Sequence, residues 1–523
     1  MKSIQDMTLR EKIGQMIVTG FAGESLTPED KHHFQKYHIG NFIYFNRNLK
    51  LKKQVIELSE QIQALCQQDT GIPAFITVDQ EGGMVTRLLD GATYYPGNMA
   101  MAATQNPKHV LLEGEYVAQE LLNVGINFNL APVLDVNNNA KNPVIGVRSY
   151  GDDPQKVAEF GRQYVKGLQS KGVIATAKHF PGHGDTAVDS HFGLPVIPHD
   201  LCRLEGVELV PFKAAIEGGI EAIMTSHIKF SNLTTDDLPA TLSSQILTDL
   251  LRERLQFEGL IMTDCMEMKA IADNYGTAKG ALQAIIAGAD LICISHTASL
   301  QAEACDLIYD AVMNGRISEE RLNQSVARVL ALKERYRLNE YAKHLNLMTD
   351  EVLETHKSFA KEMSLRSLTV LKGNPTLSAE KTLVISPLAI SLNAADDVLK
   401  TESFAQVLAN AIHSDVEVID LKLDEEKIAS LVEKSKQYHQ VIIGTYNVSV
   451  FSNQVTLVKQ LMAIYPDLIA VALRNPYDLE FYPEVLNCLA TYDYTSLSVQ
   501  SLVEVLTQGD EFVGQCPVSL KVS

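Results

Sequence analysis

Apolar runs and amphipathic segments alternate from residue 15 to residue 295 of this chain. The segments between the runs, such as LKKQVIELSEQIQALCQQ, repeat their apolar residues at intervals of three and four, which favours helices. The runs are short and rich in branched residues, which favours buried strands. Eight runs are interpreted as strands: QMIVTGF (15–21), NFIYF (41–45), AFITVD (74–79), NFNLAPVLDV (127–136), VIATAKHF (173–180), AIMTSHI (222–228), LIMTDCM (260–266) and DLICIS (290–295). This α/β pattern predicts an N-terminal (β/α)8 barrel of the TIM type.

A second alternation follows a stretch at 346–365 that is interpreted as a helical linker. It begins with LTVLKG and continues with TLVISP (382–387), VEVID (416–420), QVIIGTY (440–446), LIAVALRNP (468–476) and CLATYDY (488–494). The pattern predicts a smaller α/β sandwich domain with a mostly parallel sheet. We therefore expect a barrel in residues 1–345 and the sandwich domain in residues 346–523. Neither part contains a GxGxxG or P-loop motif, so a nucleotide is not expected.

Composition and charge narrow the class of protein. The 523 residues are too many for one ordinary core, and 46% apolar with 21% charged residues is typical of a soluble globular protein. The net charge of -19 argues against a nucleic-acid partner, because a phosphate-binding surface needs basic density.

The N-terminus and the cysteines predict a cytoplasmic location. Asp6, Arg10, Glu11 and Lys12 interrupt the stretch in which a signal peptide needs apolar residues. No apolar run approaches the length of a membrane span, so no membrane partner is expected. The seven cysteines are scattered and lack CxxC spacing, which indicates reduced thiols.

Polar residues stand at the ends of several predicted strands. Asp79, Lys178, His227 and Asp264 each lie at or just after the C-terminal end of an apolar run. Barrel enzymes build their sites on this face. The sequence therefore predicts that these side chains surround one site.

The segment KHFPGHGDTAVDSH (178–191) has the highest density of titratable groups. A carboxylate at Asp189 beside the imidazole of His191 would fix the tautomer and give a general acid/base near neutral pH. A divalent metal is an alternative, because imidazole and carboxylate groups are metal ligands. The candidate ligands are His179, His183, Asp185, Asp189 and His191.

Four polar residues have a functional interpretation, and three of them also have a structural one. Asp264 suits a carboxylate nucleophile, but an isolated Asp at this place is more often a helix N-cap. Asp79, Arg87 and Arg148 suit sugar hydroxyls or a carboxylate, while Asp79 and Arg87 are equally suited to a structural ion pair.

Four motifs together resemble glycoside hydrolase family three. They are VDQEGGMVTRL (78–88), VIGVRSYG (144–151), AKHFPGHGDTAVDSH (177–191) and GLIMTDCMEM (259–268), in the order, spacing and strand-end context of that family. The KHFPGHG…DSH loop resembles more narrowly the bacterial β-N-acetylglucosaminidases of the family. The resemblance spans nearly all of the first 340 residues.

Carried over residue by residue, this resemblance implies roles for eight side chains. Asp264 would be the nucleophile, His191 the general acid/base and Asp189 its orienting partner. The pocket for terminal N-acetylglucosamine would be lined by Asp79, Arg87, Arg148, Lys178 and His179. The DSH motif argues against the β-glucosidase branch, whose members resemble one another in taking an acid glutamate from the second domain.

The implied activity is retaining exo-hydrolysis through a covalent glycosyl-aspartate, with no cofactor or metal. Since a neutral histidine does not repel an incoming anion, phosphate is an alternative acceptor, and the protein would then be a phosphorylase. A metal-dependent barrel hydrolase and a non-catalytic sugar-binding protein are the alternatives from other classes. The expected partner is a carbohydrate with terminal β-N-acetylglucosamine, from cell-wall fragments or chito-oligosaccharides, while the oligomeric state is left open.

Two features depart from the family pattern. Many relatives carry a second acidic residue directly after the nucleophile, where this chain has Cys265. The second domain matches the family only in its strand pattern and in fragments such as SLRSLTVLKG and LRNPYDL.

Overall fold

The computed structural model describes residues 2–186, 193–391, 396 and 402–521. Its larger sheet contains eight strands, each close to one predicted run. They are β1 (Ile17–Thr19), β2 (Asn41–Tyr44), β3 (Phe75–Val78), β4 (Phe128–Asn129), β5 (Ile174–Phe180), β6 (Ala222–Thr225), β7 (Leu260–Thr263) and β8 (Ile292–Ile294).

All eight strands are parallel, in the order β7–β6–β5–β4–β3–β2–β1–β8. A parallel bridge between Met262 of β7 and Leu291, beside β8, joins the two edges of the sheet. The predicted (β/α)8 barrel is therefore confirmed.

Strand β4 is much shorter than the run at 127–136 that predicted it. The regular ladder of β4 ends at Asn129, and Pro132 has no N–H to continue it. The chain stays bonded to β5, because Ala131 O and Pro132 O accept from the N–H groups of Thr176 and Lys178, and Leu134 N–H donates to Lys178 O at 2.7 Å. The next residue, Asp135, bonds to His179 just beyond this ladder.

Helices surround the barrel. The helix Pro154–Ser170 shows why they form: the Asp153 side chain caps its first N–H groups, Pro154 occupies the first turn, and Val157, Phe160 and Tyr164 recur on its buried face. The helices of this part are Leu9–Gly14, Pro28–Lys36, Lys52–Asp69, Asn98–Ala103, Pro107–Asn123, Pro154–Ser170, Leu201–Gly206, Leu209–Glu217, Lys269–Ala272, Thr277–Ala287, Ala298–Met313 and Glu319–Arg335, with a π-helix at Gln245–Arg254. The 3-10 turns are Ile4–Asp6, Gly146–Arg148, Ala240–Leu242 and Leu338–Lys343.

The smaller sheet has six strands. They are β9 (Thr369–Lys372), β10 (Thr382–Pro387), β11 (Asp415–Ile419), β12 (Gln440–Thr445), β13 (Ile469–Ala472) and β14 (Asn487–Ala490). Their order is β9–β14–β13–β12–β10–β11, and β9 alone runs antiparallel to its neighbour. The predicted α/β domain with a mostly parallel sheet is confirmed. Its elements include the helices Phe404–Ile412, Glu425–Ser435, Asn453–Met462 and Ser496–Gln508 and the 3-10 turn Pro476–Phe481.

The helix Asp350–Ser367 connects the two sheets. Its residues Phe359 and Met363 belong to the apolar core of the barrel, whereas Leu368 belongs to the core of the smaller sheet. We propose that the domain boundary lies before this helix, at residues 345 and 346, with the helix as the link.

The smaller domain contacts the loops at the mouth of the barrel. Tyr477 OH accepts from Asn137 Nδ2 and donates to Asn137 O, both at 3.2 Å, and Gly97 N–H donates to Asp493 Oδ2 at 3.3 Å. All seven cysteines are free. In the ranges that the structure describes, every helix is too short or too polar to cross a membrane.

Candidate active site

A cavity of about 560 Å³ opens at the C-terminal ends of the barrel strands. Its volume lies in the usual range of about 300–1,000 Å³ for sites that bind small molecules. Six of the eight site residues predicted from the sequence line it: Asp79, Arg87, Arg148, Lys178, His179 and Asp264. The other two, Asp189 and His191, lie outside the described residues.

Lys178 and two carboxylates form the centre of the polar lining. Its ammonium group lies 2.7 Å from Asp79 Oδ1 and 2.6 Å from Glu81 Oε1. The lysine side chain is 2% exposed and that of Asp79 is 19% exposed, so Asp79 presents the wetter edge to the cavity. Burial opposes the charge on Lys178, but Asp79 and Glu81 outweigh it and raise its pKa.

Glu81 is clamped from its other side by Arg148. The guanidinium Nε and Nη2 donate to Glu81 Oε2 and Oε1 at 2.9 and 2.8 Å, which is the bidentate geometry of strong charge-assisted hydrogen bonds. Burial disfavours the Glu81 carboxylate, but Arg148 and Lys178 outweigh it and hold its pKa well below the ordinary value. Glu81, Arg148 and Lys178 therefore stay ionised at neutral pH and form the floor of the cavity together with Asp79.

A buried aspartate orients the imidazole of His179. Asp135 Oδ2 lies 2.7 Å from His179 Nδ1, and Asp135 Oδ1 accepts from the backbone N–H groups of His179 and His183 at 3.1 and 2.7 Å. Burial raises the pKa of Asp135, but the His179 ring, the nearby His183 ring and the His179 N–H outweigh it, so the net shift is downward. An ionised Asp135 directs Nε2 of His179 away from itself and towards the cavity that His179 lines.

Asp264 directly follows β7 and lines the same cavity. Its Oδ1 accepts from the N–H of Cys265 at 2.6 Å, which orients the carboxylate. The Cys265 carbonyl in turn accepts from His227 Nε2 at 3.0 Å, and His227 Nδ1 lies 2.8 Å from Thr241 Oγ1. His227, just after β6, thus holds the peptide that follows Asp264 through this hydrogen bond.

The N-cap interpretation of Asp264 is wrong. The next helix begins at Lys269 and its N-cap residue is Met268, four positions after Asp264. The intervening turn contributes Glu267 to the cavity instead of extending the helix back to the strand. Asp264 is therefore placed at the cavity without a capping function.

Two aromatic rings and a guanidinium group, from Phe45, His296 and Arg47, also line the cavity. Phe45 and His296 have ring centroids 5.1 Å apart, and the Arg47 guanidinium lies 4.3 Å from the centre of the Phe45 ring. The Arg47 guanidinium donates to Phe21 O and Ser295 O. The backbone N–H of His296 donates to Glu267 Oε2 at 2.6 Å. Such a surface suits contact with the apolar face of a sugar ring.

The described candidates for metal ligands are engaged elsewhere. His179 faces Asp135, His183 Nδ1 lies 2.9 Å from Thr186 Oγ1, and Asp185 Oδ2 lies 2.8 Å from His199 Nε2. Burial and the neighbouring His179 lower the pKa of His183 to about 4, so its ring is neutral at pH 7. Among the residues that the structure describes, no three His, Cys, Asp or Glu side chains are grouped to hold a metal ion.

Three of these side chains were given no role from the sequence. Glu81 lies inside the motif VDQEGGMVTRL and Asp135 lies in the run at 127–136. His227 is predicted to surround the site but lies outside the lining of the cavity. A carboxylate within an apolar run, as at Asp135, is a signal available in the sequence, because a buried charge requires a hydrogen-bonding or charged partner.

Known proteins are similar to this chain over much of its length. A β-hexosaminidase A from Pseudoalteromonas piscicida is 32% identical over 440 residues, which are 76% of this chain and 73% of that protein. A β-hexosaminidase from Stenotrophomonas maltophilia (strain K279a) is 33% identical over 287 residues, 54% of this chain and 83% of that protein.

A solved structure is similar over both domains. The glycoside hydrolase family 3 β-N-acetylglucosaminidase from Paenibacillus sp. str. FPU-7 superposes with a TM-score of 0.91 at 40% identity, covering 99% of this chain and 100% of that one. The family described as glycosyl hydrolase family 3 N terminal domain matches residues 8–332, which hold all eight strands of the barrel. This chain is therefore a glycoside hydrolase and belongs to glycosyl hydrolase family 3.

Proposed function

We propose that this enzyme is a retaining exo-β-N-acetylglucosaminidase, which removes N-acetylglucosamine from the non-reducing end of its substrate. The observation that carries the proposal is the placement of Asp264 on the same cavity as the Asp79, Lys178 and Arg148 network. The similar β-hexosaminidases and the Paenibacillus β-N-acetylglucosaminidase support the choice of sugar.

In the proposed mechanism Asp264 attacks the anomeric carbon. The N–H of Cys265 orients its carboxylate, which forms the covalent glycosyl-enzyme through an oxocarbenium-like transition state. His191, oriented by Asp189, protonates the glycosidic oxygen as the bond breaks. It then takes a proton from the water that releases the sugar. The roles of Asp189 and His191 rest on their sequence motif.

The charged floor is suited to hold the terminal sugar. Asp79 accepts hydrogen bonds from sugar hydroxyls, while Lys178, Arg148 and Arg87 donate them, and His179 offers Nε2. Because Glu81 neutralises Arg148 and shares Lys178, the floor gives directed hydrogen bonds to a neutral sugar without a large excess of positive charge. These side chains are fixed before substrate binds, which lowers the entropic cost of binding.

We further propose cytoplasmic turnover of cell-wall fragments or chito-oligosaccharides as the setting. The free thiols support a reducing compartment. The two substrate classes share the terminal β-N-acetylglucosamine that the proposed site binds, and they differ only in the aglycone.

The first test is the hydrolysis of 4-nitrophenyl β-N-acetylglucosaminide and of the matching β-glucoside by the full chain. We expect cleavage of the N-acetyl substrate, a loss of at least about 10³-fold in kcat for Asp264→Ala, and a smaller loss for His191→Ala, because the 4-nitrophenolate leaves without much acid assistance. A 5-fluoro-N-acetylglucosaminyl donor should label the peptide that contains Asp264.

Two additions to this assay separate the alternatives. Activity that a chelator abolishes and a divalent metal restores would replace the proposal with a metal-dependent hydrolase. Formation of N-acetylglucosamine 1-phosphate in phosphate buffer would make the enzyme a phosphorylase, whereas free N-acetylglucosamine as the only product supports the hydrolase. Full activity of Asp264→Ala would overturn the nucleophile assignment.

A further inference from the structure

Asn142 bonds simultaneously to two functional segments of the barrel mouth. Its Nδ2 donates to His183 O and Gly184 O, both at 2.8 Å, and lies 3.3 Å from Thr186 Oγ1. Its Oδ1 accepts from the N–H groups of Val144 and Ile145 at 2.9 and 2.8 Å. The residue is 8% exposed, so these bonds are shielded from water.

The first of these segments is the base of the histidine-rich loop. Residues 183–186 are the last that the structure describes before the proposed acid/base motif at 189–191. The base is packed closely, since a Cβ at Gly184 would lie 1.7 Å from Val136 O. Its two carbonyl groups point at Asn142 and need a donor, because a buried carbonyl without a partner costs about 1–3 kcal/mol.

The second segment carries Arg148. The 3-10 turn Gly146–Arg148 begins directly after Ile145, and Arg148 N–H donates to Ile145 O at 2.9 Å. The Arg148 guanidinium also donates to Val144 O at 3.3 Å through Nη1. The Asn142 side chain therefore fixes the base of the loop relative to the segment that holds a predicted sugar-binding arginine.

Only an amide meets both demands of this position. One end of the side chain must donate to two carbonyls, and the other must accept from two N–H groups. An aspartate has nearly the same shape but would place a buried carboxylate oxygen against the carbonyls of His183 and Gly184. Asn142→Asp is therefore a nearly isosteric change that reverses the hydrogen-bonding sense at the loop alone.

We propose that Asn142 is a positioning residue for acid catalysis, which holds the base of the histidine-rich loop in register with the Arg148 segment. This inference rests on the proposed function, because it acts through the acid/base group assigned to the loop. The nucleophile Asp264 stands on a different strand end, so the change should impair protonation of the leaving group more than nucleophilic attack.

The test measures kcat/KM for aryl β-N-acetylglucosaminides whose leaving groups range from 2,4-dinitrophenol to phenol. General acid catalysis is worth about 10²–10⁴-fold and is least needed for the most acidic leaving group. We expect Asn142→Asp to lose less than about 10-fold with the dinitrophenyl substrate and about 100-fold with the phenyl substrate. His191→Ala should show the same trend with a steeper slope. Thermal unfolding of each variant checks that it is folded.

Two comparisons isolate the positioning role. Asn139→Asp is the matched control, because Asn139 Oδ1 accepts from Lys141 N–H at 3.0 Å and its Nδ2 reaches Thr186 O only at 3.5 Å. It should keep wild-type rates with every substrate. Asn142→Ser removes the amide without adding charge and carries the same test if the aspartate variant does not fold.

The outcome distinguishes this inference from the proposed function. An equal loss of kcat/KM with all leaving groups in Asn142→Asp, or no loss, would overturn the role of Asn142. The proposed function would still stand in that case if Asp264→Ala is inactive and His191→Ala depends on the leaving group. If His191→Ala shows no dependence on the leaving group, the acid/base assignment itself is wrong, and the inference is overturned with it.

Discussion

Glu81 and Arg148 form a bidentate ion pair beneath the cavity, with side chains that are 3% and 6% exposed. Two such charges are expensive to bury unless every donor and acceptor is used. Here further bonds offset that cost, because the Lys178 ammonium also lies 2.6 Å from Glu81 Oε1 and Arg148 Nη1 also donates to Val144 O. In the proposed function, Glu81 therefore fixes the two positive groups, Arg148 and Lys178, that would donate to the sugar.

Replacing Glu81 with Gln should cost both stability and substrate binding. The change leaves the buried cations of Arg148 and Lys178 without their common anion, and breaking a buried pair in this way costs about 3–5 kcal/mol. We expect that loss in the free energy of unfolding from urea titration, together with a raised KM. Glu303→Gln, at an exposed position, is the control and should change neither quantity. An unaltered KM in Glu81→Gln would show that the pair does not position the sugar-binding groups.

His227 should matter for the rate through the peptide that follows Asp264. His227→Ala removes the donor to Cys265 O. Such a buried hydrogen bond contributes about 0.5–1.5 kcal/mol, and leaving the carbonyl unpaired costs about 1–3 kcal/mol. We expect kcat to fall about 10-fold with little change in KM. His227→Gln offers a donor at a similar reach and should recover part of the rate. Equal kcat values for the Ala and Gln variants would contradict this role.

Lys333 should make the stability depend on pH. Its ammonium group is buried below the barrel, where it donates to Gln15 Oε1 at 2.7 Å and Gly40 O at 3.0 Å. Burial lowers its pKa to about 7. Between pH 7 and about 10 the unfolded chain holds a proton on this lysine that the folded chain has released, so its contribution to the unfolding free energy rises by up to about 1.4 kcal/mol per pH unit. Below pH 7 the contribution is constant.

The measurement is urea unfolding of the wild type and Lys333→Met at several pH values from 6 to 10. Below pH 7 the difference in unfolding free energy between the two proteins should be constant. Above pH 7 the unfolding free energy of the wild type should rise relative to that of Lys333→Met. Lys53→Met, at a side chain that is 89% exposed, should follow the wild type throughout. A pH-independent difference for Lys333→Met would refute a lowered pKa.

Cys265 should resist alkylation although it lines the cavity. Burial raises the pKa of its thiol to about 11, so almost no thiolate is present at pH 7.5. We expect iodoacetamide to modify the exposed Cys202 first and to leave activity intact. Peptide mass spectrometry with activity measured at the same times checks this order. Inactivation that keeps pace with labelling of Cys265 at neutral pH would contradict it.

The local sequence determined the helices and strands and the positions of the polar residues at the strand ends. Strands buried on both faces require continuous apolar runs, and helices against a barrel require an apolar stripe, so both patterns are visible without the fold. Because parallel strands end on one face of a barrel, the sequence predicts Asp79, Lys178, His227 and Asp264 around one site. The structure brings Asp79, Lys178 and Asp264 to the cavity lining, whereas His227 lies behind it and bonds to Cys265 O.

Only the tertiary structure decided which of these groups are partners. Lys178 meets Asp79 across 99 residues, Asn142 meets His183 across 41, and Tyr477 meets Asn137 across 340. Such pairs depend on strand register and on the path of the loops, which a periodic pattern does not specify. Hydrophobic periodicity is a property of neighbours along the chain, whereas the polar network is satisfied between segments that meet only after the barrel has closed.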